Sequence, residues 1–450
     1  MGIVALIVFI AITVVFNVLL KRNIAEALLI GLVGVALVGG TRAPELLWLG
    51  IKKAVSSEVT FAGMAFVFMG IIVQSTGLID RLITILNSIF GRLRGGAGYV
   101  STLASAMMGL IAGSTAGNSA TVGSVTIPWM KQTGFSSNRA ATLVAGNSGL
   151  GVALPPNSTM FIILAMPAAA ASSASQVYVA LACAGAYAVL YRLAVVFFWT
   201  KKDRIPKTPK EQIVPFGQAW AQGWRSPSIF LGIIIPVLLT IGPLANWFKN
   251  STGAGEDGSK AISIIVWVPV LITLIALIEG AGRIRRNNAQ FRAQIVRDLP
   301  SFATVGISLF AALAAASIME ELGVGDQLSN TLGAMDLPKW VMILVVGVLA
   351  VIVATPLSST ATAAAIGAPA VAALTAVGID PTVAIVVTLL CTSTEGASPP
   401  VGAPIYLSAA MAEANPTKMF IPLIIYFVLP MILLAWLVGM GMVPVYVPGA

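Results

Sequence analysis

The chain has 450 residues, of which 58% are hydrophobic and only 10% are charged. A soluble domain carries about 25% charged residues, so this composition excludes an ordinary soluble protein and indicates a membrane protein. The formal net charge is +9, and the absence of histidine excludes any catalysis, proton relay or metal site that depends on an imidazole. In a membrane protein a basic excess is typical of cytoplasmic loops and does not indicate nucleic-acid binding.

Apolar runs of about 20 residues, the length that crosses a bilayer core as a helix, recur along the chain. The first run lacks the basic region and cleavage site of a signal peptide, so we interpret it as a retained helix. We predict an all-α polytopic membrane protein. Its continuous spans are expected at 2–20, 24–41, 57–78, 176–199, 228–247, 262–279, 299–319 and 419–441.

Four further hydrophobic segments are interrupted midway by Gly, Ser, Thr or Pro. Segments 97–131 and 339–377 each suggest two short helices that meet at a polar tip, and we predict that both are re-entrant hairpins. Segments 138–170 and 382–412 are long enough to span but contain a Pro-Pro pair, so we predict two broken transmembrane helices. Non-helical backbone at membrane depth is tolerated only inside protein or beside water, which favours a functional role for all four interruptions.

The interrupted segments follow the same spacing in both halves of the chain. In each hairpin a Pro follows a Ser or Thr by nine residues, and in each broken helix a Pro-Pro pair follows a Gly by 21 residues. These pairs are Ser119 and Pro128, Thr360 and Pro369, Gly134 and Pro155, and Gly378 and Pro399. We therefore predict two repeats, 1–225 and 226–450, of the kind found in alternating-access transporters.

The basic residues predict the orientation. With the N-terminus outside, nineteen of the 26 Lys and Arg residues fall on the cytoplasmic side and six outside, which is a clear positive-inside bias. The remaining one, Arg192, lies near the predicted end of span 176–199, where we expect it to snorkel to the interface. In this layout the hairpins enter from opposite sides, so the repeat is predicted to be inverted. The basic segments 201–226 and 281–298 are predicted to be arms at the cytoplasmic surface.

Each tip, together with the break that follows it, offers neutral oxygen ligands for a small cation. Gly and Pro free backbone carbonyls from helical hydrogen bonds, and Ser, Thr and Asn add side-chain oxygens without net charge. We predict two Na⁺ sites and no organic cofactor. The first site consists of Ser114, Gly117, Asn118, Gly149, Gly151 and Pro155, and the second of Thr355, Ser358, Ser359, Gly396 and Ser398. The alternative is that these small residues only permit close helix packing.

Glu395 is one of the few acidic residues placed well inside a predicted span, directly before the second break. A carboxyl group at membrane depth is costly and is by default a functional hypothesis. It is a candidate to ligate the cation, to carry a coupling proton or to pair with a cationic group of the substrate. The alternative is a structural role as the partner of a hydroxyl or a backbone amide.

A set of motifs runs through the chain from about residue 60 to residue 435. They are G-L-I-D-R-L at 77–82, G-R-L-R-G-G at 91–96, L-I-A-G-S at 110–114, I-P-W-M-K at 127–131, T-G-F at 133–135, L-P-P at 154–156, G-I-D-P at 378–381 and S-P-P-V-G at 398–402. Each motif alone is weak, but the combination at these spacings is specific. It resembles the large membrane subunit of tripartite ATP-independent periplasmic (TRAP) transporters, within the ion-transporter superfamily.

The resemblance implies an elevator-type secondary transporter in a bacterial cytoplasmic (inner) membrane. It would import an organic anion, a carboxylate or an acidic sugar, coupled to Na⁺. The implied partners are a small four-helix membrane subunit, which we expect to be separate or absent because no such block precedes the motifs, and an extracytoplasmic solute-binding protein. The substrate would lie between the tips, at Asn118, Ser119, Thr121, Asn157, Ser359, Thr360 and Thr362.

Two departures from the family pattern stand at the second break. The family commonly has a small or apolar residue in place of Glu395, and a Thr in place of Ser398 before the Pro-Pro pair. Glu395 is therefore the main candidate for a changed coupling ion or substrate.

Three other functions compete with this interpretation. The nearest is a stand-alone Na⁺- or H⁺-coupled symporter for dicarboxylates or similar anions, which needs neither partner. An intramembrane enzyme needs a nucleophile with a base, or paired acids, whereas the acids within the predicted spans are isolated. A passive channel fits poorly with two hairpins that cap opposite sides, since that arrangement favours alternating access.

Overall fold

The computed structural model describes residues 1–16, 20–56, 58–112, 115–164, 166–208, 213–240, 244, 245, 247, 250, 264–324, 327, 337–354, 359–400 and 402–448. These residues form helices joined by turns, with one isolated backbone bridge between Arg94 and Lys207 and no strand. The predicted all-α class is confirmed.

Several of the described helices are long and apolar enough to cross a membrane. Ala174–Lys202, Val266–Arg286 and Pro416–Gly439 qualify by length and composition. Two bent helix pairs, Phe68–Thr76 with Leu78–Phe90 and Phe216–Gly223 with Ser226–Thr240, qualify when each is taken as one span. Together they make the protein a multi-pass membrane protein, as the apolar composition predicts.

Three helices in this structure were not among the predicted spans. They are Ala43–Val55, Leu78–Phe90 and Phe216–Gly223. Each is amphipathic: in Ala43–Val55, for example, Leu46, Gly50 and Ala54 are buried while the basic residues stay exposed. A search for continuous apolar runs misses such helices because they expose a polar face.

The predicted basic arm 281–298 is not a separate element. Its first residues end the helix Ile264–Arg286, and the rest belong to a 34-residue helix, Asn288–Glu321, that continues through Pro300 into the predicted span 299–319. A Pro inside a helix removes one backbone hydrogen bond and kinks the helix without always ending it. The sequence changes from basic to apolar at residue 299, but the helix continues through this position.

The remaining helices outside the interrupted segments lie close to the predicted spans. They are Gly2–Val14, Ile24–Val38, Glu58–Thr76, Leu231–Thr240, Pro416–Leu423 and Leu429–Gly439, the last two joined by a π-helical turn, Ile424–Val428. Asn23 caps the second of them by accepting a 2.9 Å hydrogen bond from the backbone N–H of Ala25.

Each of the two predicted hairpins consists of two helices packed against each other. The first hairpin has arms Gly96–Ala112 and Thr115–Gln132, and the second has arms Lys339–Ala354 and Ser359–Ala376. The polar tips themselves, residues 113–114 and 355–358, lie outside the described residues.

The segments after the hairpins are helices interrupted at the Pro-Pro pairs. The first broken helix consists of Ser137–Asn147, a short turn of helix Leu150–Ala153, and Ser158–Leu164. The second consists of Pro381–Thr392, a 3₁₀ turn Glu395–Ala397, and Ala403–Ala412. Both Pro-Pro peptide bonds are cis.

The C-terminal half of each broken helix packs against the hairpin and broken helix of the other half of the chain. Ala403–Ala412 packs on the second arm of the first hairpin and on Ser137–Asn147. Correspondingly, Ser158–Leu164 packs on the second arm of the second hairpin and on Pro381–Thr392. The two broken helices and the second arms of both hairpins are thereby brought together, while the inverted orientation of the two repeats stays a prediction.

Both hairpins end in the same helix-terminating motif. Gly134 and Gly378 have positive φ angles of 102° and 80°. In each case the residue after the glycine donates its backbone N–H to a carbonyl five residues earlier, Phe135 to Met130 at 2.9 Å and Ile379 to Leu374 at 3.2 Å. This is the Schellman arrangement, which requires a left-handed residue and therefore favours glycine.

Gly378→Ala is expected to destabilise the protein by about 1–2 kcal/mol, the cost of a left-handed conformation for a residue with a Cβ. No atom of the described residues lies within 4 Å of the Cβ that the substitution adds, so the expected cost comes from the backbone conformation. The matched control is Gly217→Ala, which also meets nothing within 4 Å but lies in a helix, where Ala is favoured over Gly. Thermal unfolding in detergent should separate the two, and equal midpoints would contradict the expectation.

Candidate ion and substrate site at the crossing of the two breaks

The two breaks touch each other through reciprocal glycine and serine contacts. A Cβ on Gly149 would overlap the backbone carbonyl oxygen of Ser393. In the same way, a Cβ on Gly396 would overlap the hydroxyl oxygen of Ser148. Each break therefore uses a glycine to admit a residue of the other, and Gly149 and Gly396, one from each predicted Na⁺ site, lie at this crossing.

Two further glycines bring neighbouring helices onto the backbone of the first break. Gly109, on the first arm of the first hairpin, lies against the Cα atom of Gly151. Gly185, on the long helix Ala174–Lys202, lies against the carbonyl of Ala153. The small residues thus do permit close packing, as the alternative interpretation proposed, and they use it to enclose the break.

Asn118 connects the first hairpin to the first break. Its side-chain amide donates to the backbone carbonyls of Ser105 at 2.8 Å and Ser148 at 3.3 Å. Its carbonyl oxygen Oδ1 is fully buried and has no hydrogen-bond partner among the described residues, and the same is true of the Ser105 hydroxyl. Asn147 nearby donates to Thr102 Oγ1 at 2.9 Å and likewise leaves its Oδ1 unpaired within the described part.

These orphaned oxygens fit a monovalent cation. A buried oxygen without a donor costs free energy, and a cation that it coordinates removes that cost. Broken helices of transporters hold Na⁺ with backbone carbonyls and helix ends, which is the chemistry available here. In the part of the chain that the structure describes, no group of three or more His, Cys, Asp or Glu residues is placed to hold a metal ion, and the orphaned oxygens belong to neutral amide and hydroxyl groups. Asn118, Asn147 and Ser105 are the side chains that would hold Na⁺.

Glu395 joins the two hairpins. Its carboxylate accepts a 2.6 Å hydrogen bond from the hydroxyl of Thr115 and another from the backbone N–H of Ser359. Thr115 and Ser359 are the first residues of the second arms of the two hairpins, so the carboxylate faces two helix N-termini. The side chain is buried, and it takes part in none of the ion pairs between described residues.

The other predicted substrate residues of the first half have different surroundings. Ser119 is buried and lies 2.7 Å from the hydroxyl of Ser408, on the C-terminal half of the second broken helix. Thr121 lines an open cavity on another face of the same arm. Asn157 spans the first break: its amide donates to the carbonyls of Val152 and Leu154, and its Oδ1 accepts from the backbone N–H of Met160. A substrate role for these residues stays a prediction.

In the second half, Thr362 is fully buried, and its hydroxyl has no partner among the described residues. Thr360 is half-buried on the same arm. Ser398 donates to the carbonyl of Thr394 at 2.9 Å, and the same carbonyl also accepts the backbone N–H of Ala397 at 2.9 Å. Three predicted ligands, Ser114, Thr355 and Ser358, belong to the tips and lie outside the described residues.

The expectation that Arg192 snorkels is wrong. The helix that carries it extends to Lys202, so Arg192 lies about 15 Å from the helix end and not near it. The residue is only 1% exposed, and its guanidinium group donates to the carbonyl of Gly146 beside the first break and lies over the ring of Phe427. In the sequence, the signal for this contact was an arginine within an otherwise apolar helix.

Thr115 was also missed as a site residue, although it belongs to the first tip cluster. Its partner Glu395 lies 280 residues away in the chain, so no local pattern indicates the contact.

A multi-pass helical protein whose two broken helices cross beside two interrupted hairpins has the architecture of a secondary transporter. The family model for the "Tripartite ATP-independent periplasmic transporter, DctM component" matches residues 3–440. The chain therefore belongs to the family of TRAP transporter large permeases.

Individual relatives match over shorter stretches. A putative TRAP transporter large permease of Haemophilus influenzae is 33% identical over 115 residues, which are 25% of this chain and 27% of that protein. The C4-dicarboxylate permease DctM of Pseudomonas aeruginosa is 23% identical over 203 residues, 45% of each chain. The 2,3-diketo-L-gulonate permease YiaN of Escherichia coli is 27% identical over 190 residues, 42% of each chain. The matched stretches thus span less than half of these relatives.

Two solved transporters have a similar fold. The YdaH transporter of Alcanivorax borkumensis superposes with a TM-score of 0.60 at 16% identity, covering 91% of this chain and 89% of that one. MtrF of Neisseria gonorrhoeae superposes with a TM-score of 0.63 at 14% identity, covering 89% and 85%. At these identities the likeness concerns the fold alone.

Proposed function

We propose that this chain is the large membrane subunit of a TRAP transporter that imports an organic anion coupled to Na⁺. The observation that carries the proposal is the fully buried Oδ1 of Asn118, which has no hydrogen-bond partner in the described part of the chain and lies where the first hairpin meets the first break. A cation bound to this oxygen would contact the first hairpin and the first break at once. Cation binding would therefore be coupled to the relative position of these two elements. Coupling of this kind is what a secondary transporter requires.

An anionic substrate is supported by the two helix N-termini that converge on Glu395. Such ends bind a carboxylate, here that of Glu395, because the first N–H groups of a helix have no intrahelical partner and the helix dipole is positive there. The relatives are named for C4-dicarboxylate, 2,3-diketo-L-gulonate and sialic acid, all of which carry a carboxylate. The proposed cargo is accordingly a carboxylate or an acidic sugar, with Glu395 as the candidate coupling residue.

The proposal includes an elevator movement and two partners. The hairpins and broken helices would move together as one body relative to the remaining helices, carrying the anion across the bacterial cytoplasmic membrane. A small four-helix membrane subunit would anchor the other body, and an extracytoplasmic solute-binding protein would deliver the anion. These partners come from the family and not from a contact in this chain.

Reconstitution in liposomes tests the proposal. Uptake of labelled succinate, sialic acid, 2,3-diketo-L-gulonate and isethionate is measured with and without an inward Na⁺ gradient, for the chain alone and with both partners. Na⁺-driven uptake that requires both partners is the expected result. Uptake by the chain alone would make it a stand-alone symporter, and uptake driven only by a proton gradient would refute Na⁺ coupling.

Asn118→Ala is expected to raise the Na⁺ concentration for half-maximal uptake about tenfold, because the cation loses one ligand, worth about 1–2 kcal/mol. Asn250→Ala removes the same amide from an exposed position and is the matched control. The measurement is uptake as a function of Na⁺ concentration at a fixed anion concentration, together with size-exclusion chromatography to establish folding. Unchanged Na⁺ activation in a folded Asn118→Ala variant would remove Asn118 from the site.

A further inference from the structure

A polar cavity of about 460 Å³ lies beside the first hairpin, apart from the crossing of the breaks. One wall is formed by the second arm of the hairpin, through Gly117, Thr121 and Ser124. These residues recur every three or four positions and so share one face of the helix, which differs from the buried face that carries Asn118. The opposite wall is the turn between helices Ile264–Arg286 and Asn288–Glu321.

The lining of this polar cavity is rich in cations and amides. It contains the guanidinium groups of Arg283 and Arg297 together with the side-chain amides of Gln74, Asn287, Gln290 and Gln294, and no carboxylate among the described residues lines it. Arg283 also pairs at 3.6 Å with Asp80, which is not part of the lining, so its charge is partly balanced there, although both side chains are about half exposed and water weakens the pair. Arg297 contacts Gln294 within the lining.

The surroundings strengthen this positive field. A second cavity of about 410 Å³ shares Arg283 and Asn287 with the first and adds Arg81, Arg286 and one acid, Glu279. A concave surface with mostly one sign of charge concentrates ions of the opposite sign. Guanidinium groups are also the side chains best suited to bind a carboxylate in a bidentate manner.

The polar cavity leads toward the tip of the hairpin. From Ser124 to Gly117 it follows the arm for about 10 Å, given the helical rise of 1.5 Å per residue. Gly117 is two residues from Thr115, whose hydroxyl binds Glu395. The Gly117 end of the cavity is therefore about 3 Å along the helix axis from Thr115, which binds the carboxylate that joins the two hairpins.

We propose that the polar cavity is a second anion-binding site, in which Arg283 and Arg297 hold the carboxylate of the transported anion on its way between the hairpin tips and the cytoplasm. The cytoplasmic side follows from the basic residues that surround the cavity, by the positive-inside rule. The identity of the ligand rests on the proposed function, whereas the preference for anions rests on the lining itself. The cavity is large enough for a small organic acid.

Cysteine labelling tests the preference for anions without any transport. Cys183 and Cys391 are replaced by Ala, and Ser124, which is exposed in the cavity, is replaced by Cys. The modification rate is then compared between a sulfonate-bearing and a trimethylammonium-bearing methanethiosulfonate reagent, in nanodiscs of pure phosphatidylcholine. The anionic reagent is expected to react faster, and Arg297→Gln should lower the ratio of the two rates about fivefold or more because one charge is lost from the lining.

Arg292→Gln is the matched control, since it removes the same charge from the same helix at an exposed position that does not line the cavity. It should leave the ratio within about twofold of the parent value, as expected for a screened and more distant charge. Equal effects of the two substitutions, or no effect of Arg297→Gln, would overturn the proposal.

The ligand is tested with succinate as the probe. Succinate should slow the labelling of the Ser124→Cys protein, and Arg297→Gln should raise the succinate concentration needed for half-protection. If phosphatidylglycerol in the nanodisc slows labelling and succinate does not, the occupant is a lipid headgroup and the assignment to an organic acid is refuted. Since none of these readouts requires uptake, a failure of the proposed transport would be distinguishable from a failure of the cavity.

Discussion

Glu395→Gln is expected to lower the rate of anion uptake about ten- to hundredfold while the protein remains folded. The carboxylate accepts hydrogen bonds from Thr115 and from the backbone of Ser359, and so connects the two hairpins. A hydrogen bond to a charged group contributes about 1.5–3 kcal/mol, and a glutamine of the same length keeps only the weaker neutral bond. That difference corresponds to about ten- to hundredfold in rate if the contact forms in the transition state for transport.

Two further variants separate charge from geometry. Glu395→Asp keeps the charge but shortens the side chain by one methylene, so it cannot reach both donors at once. Thr115→Val removes the hydroxyl donor and leaves Glu395 intact. If the two residues act through their mutual hydrogen bond, the double variant Thr115→Val with Glu395→Gln should be no worse than the poorer single variant, because interacting residues are not additive.

The pH profile of uptake gives an independent readout. A glutamine does not titrate, so the variant should lose whatever part of the pH response depends on the carboxyl group, and its uptake should vary less with pH than that of the parent protein. Wild-type rates at every pH would show that the carboxylate only fills space between the hairpins. Additive effects of Thr115→Val and Glu395→Gln would show that transport does not depend on the hydrogen bond between the two residues.

The positions of the interruptions could be predicted from the sequence because Gly and Pro act locally. A Pro-Pro pair cannot continue a helix, and the short turns Leu150–Ala153 and Glu395–Ala397 both end just before such a pair. Polar clusters within apolar segments likewise indicated where the hairpin arms end. The amphipathic helices Ala43–Val55 and Leu78–Phe90 were missed because the search was for continuous apolar runs, whereas a helical period was their signal.

The partners within the site could not be predicted, since they depend on contacts between distant parts of the chain. The sequence identified Glu395 as unusual but left its role open among a cation ligand, a proton carrier and a structural partner. Arg192 was assigned to the interface from a helix end placed at residue 199, while the helix extends to Lys202 and buries the guanidinium group beside Gly146. Apolar composition shows that a helix is inside the membrane but not which neighbour its polar residue meets.

Gly149→Ala is expected to abolish uptake and to lower the free energy of unfolding by about 1–3 kcal/mol, the usual cost of overpacking a well-packed core. The added Cβ would overlap the carbonyl oxygen of Ser393, which is backbone and cannot rotate away as a side chain can. The two breaks must therefore separate, and the cation and anion sites at their crossing would lose their shared geometry. Displacements of about 1 Å in a positioned site are already costly.

Gly396→Ala is the informative comparison, because its Cβ would meet the hydroxyl of Ser148, the end of a side chain, instead of backbone. The combination of Gly396→Ala with Ser148→Ala removes that obstacle and should restore part of the uptake that Gly396→Ala loses. No such rescue exists for Gly149→Ala, since Ser393→Ala leaves the carbonyl in place. Full activity of Gly149→Ala, or rescue of Gly149→Ala by Ser393→Ala, would mean that the backbones of the two breaks are not in contact in the working transporter.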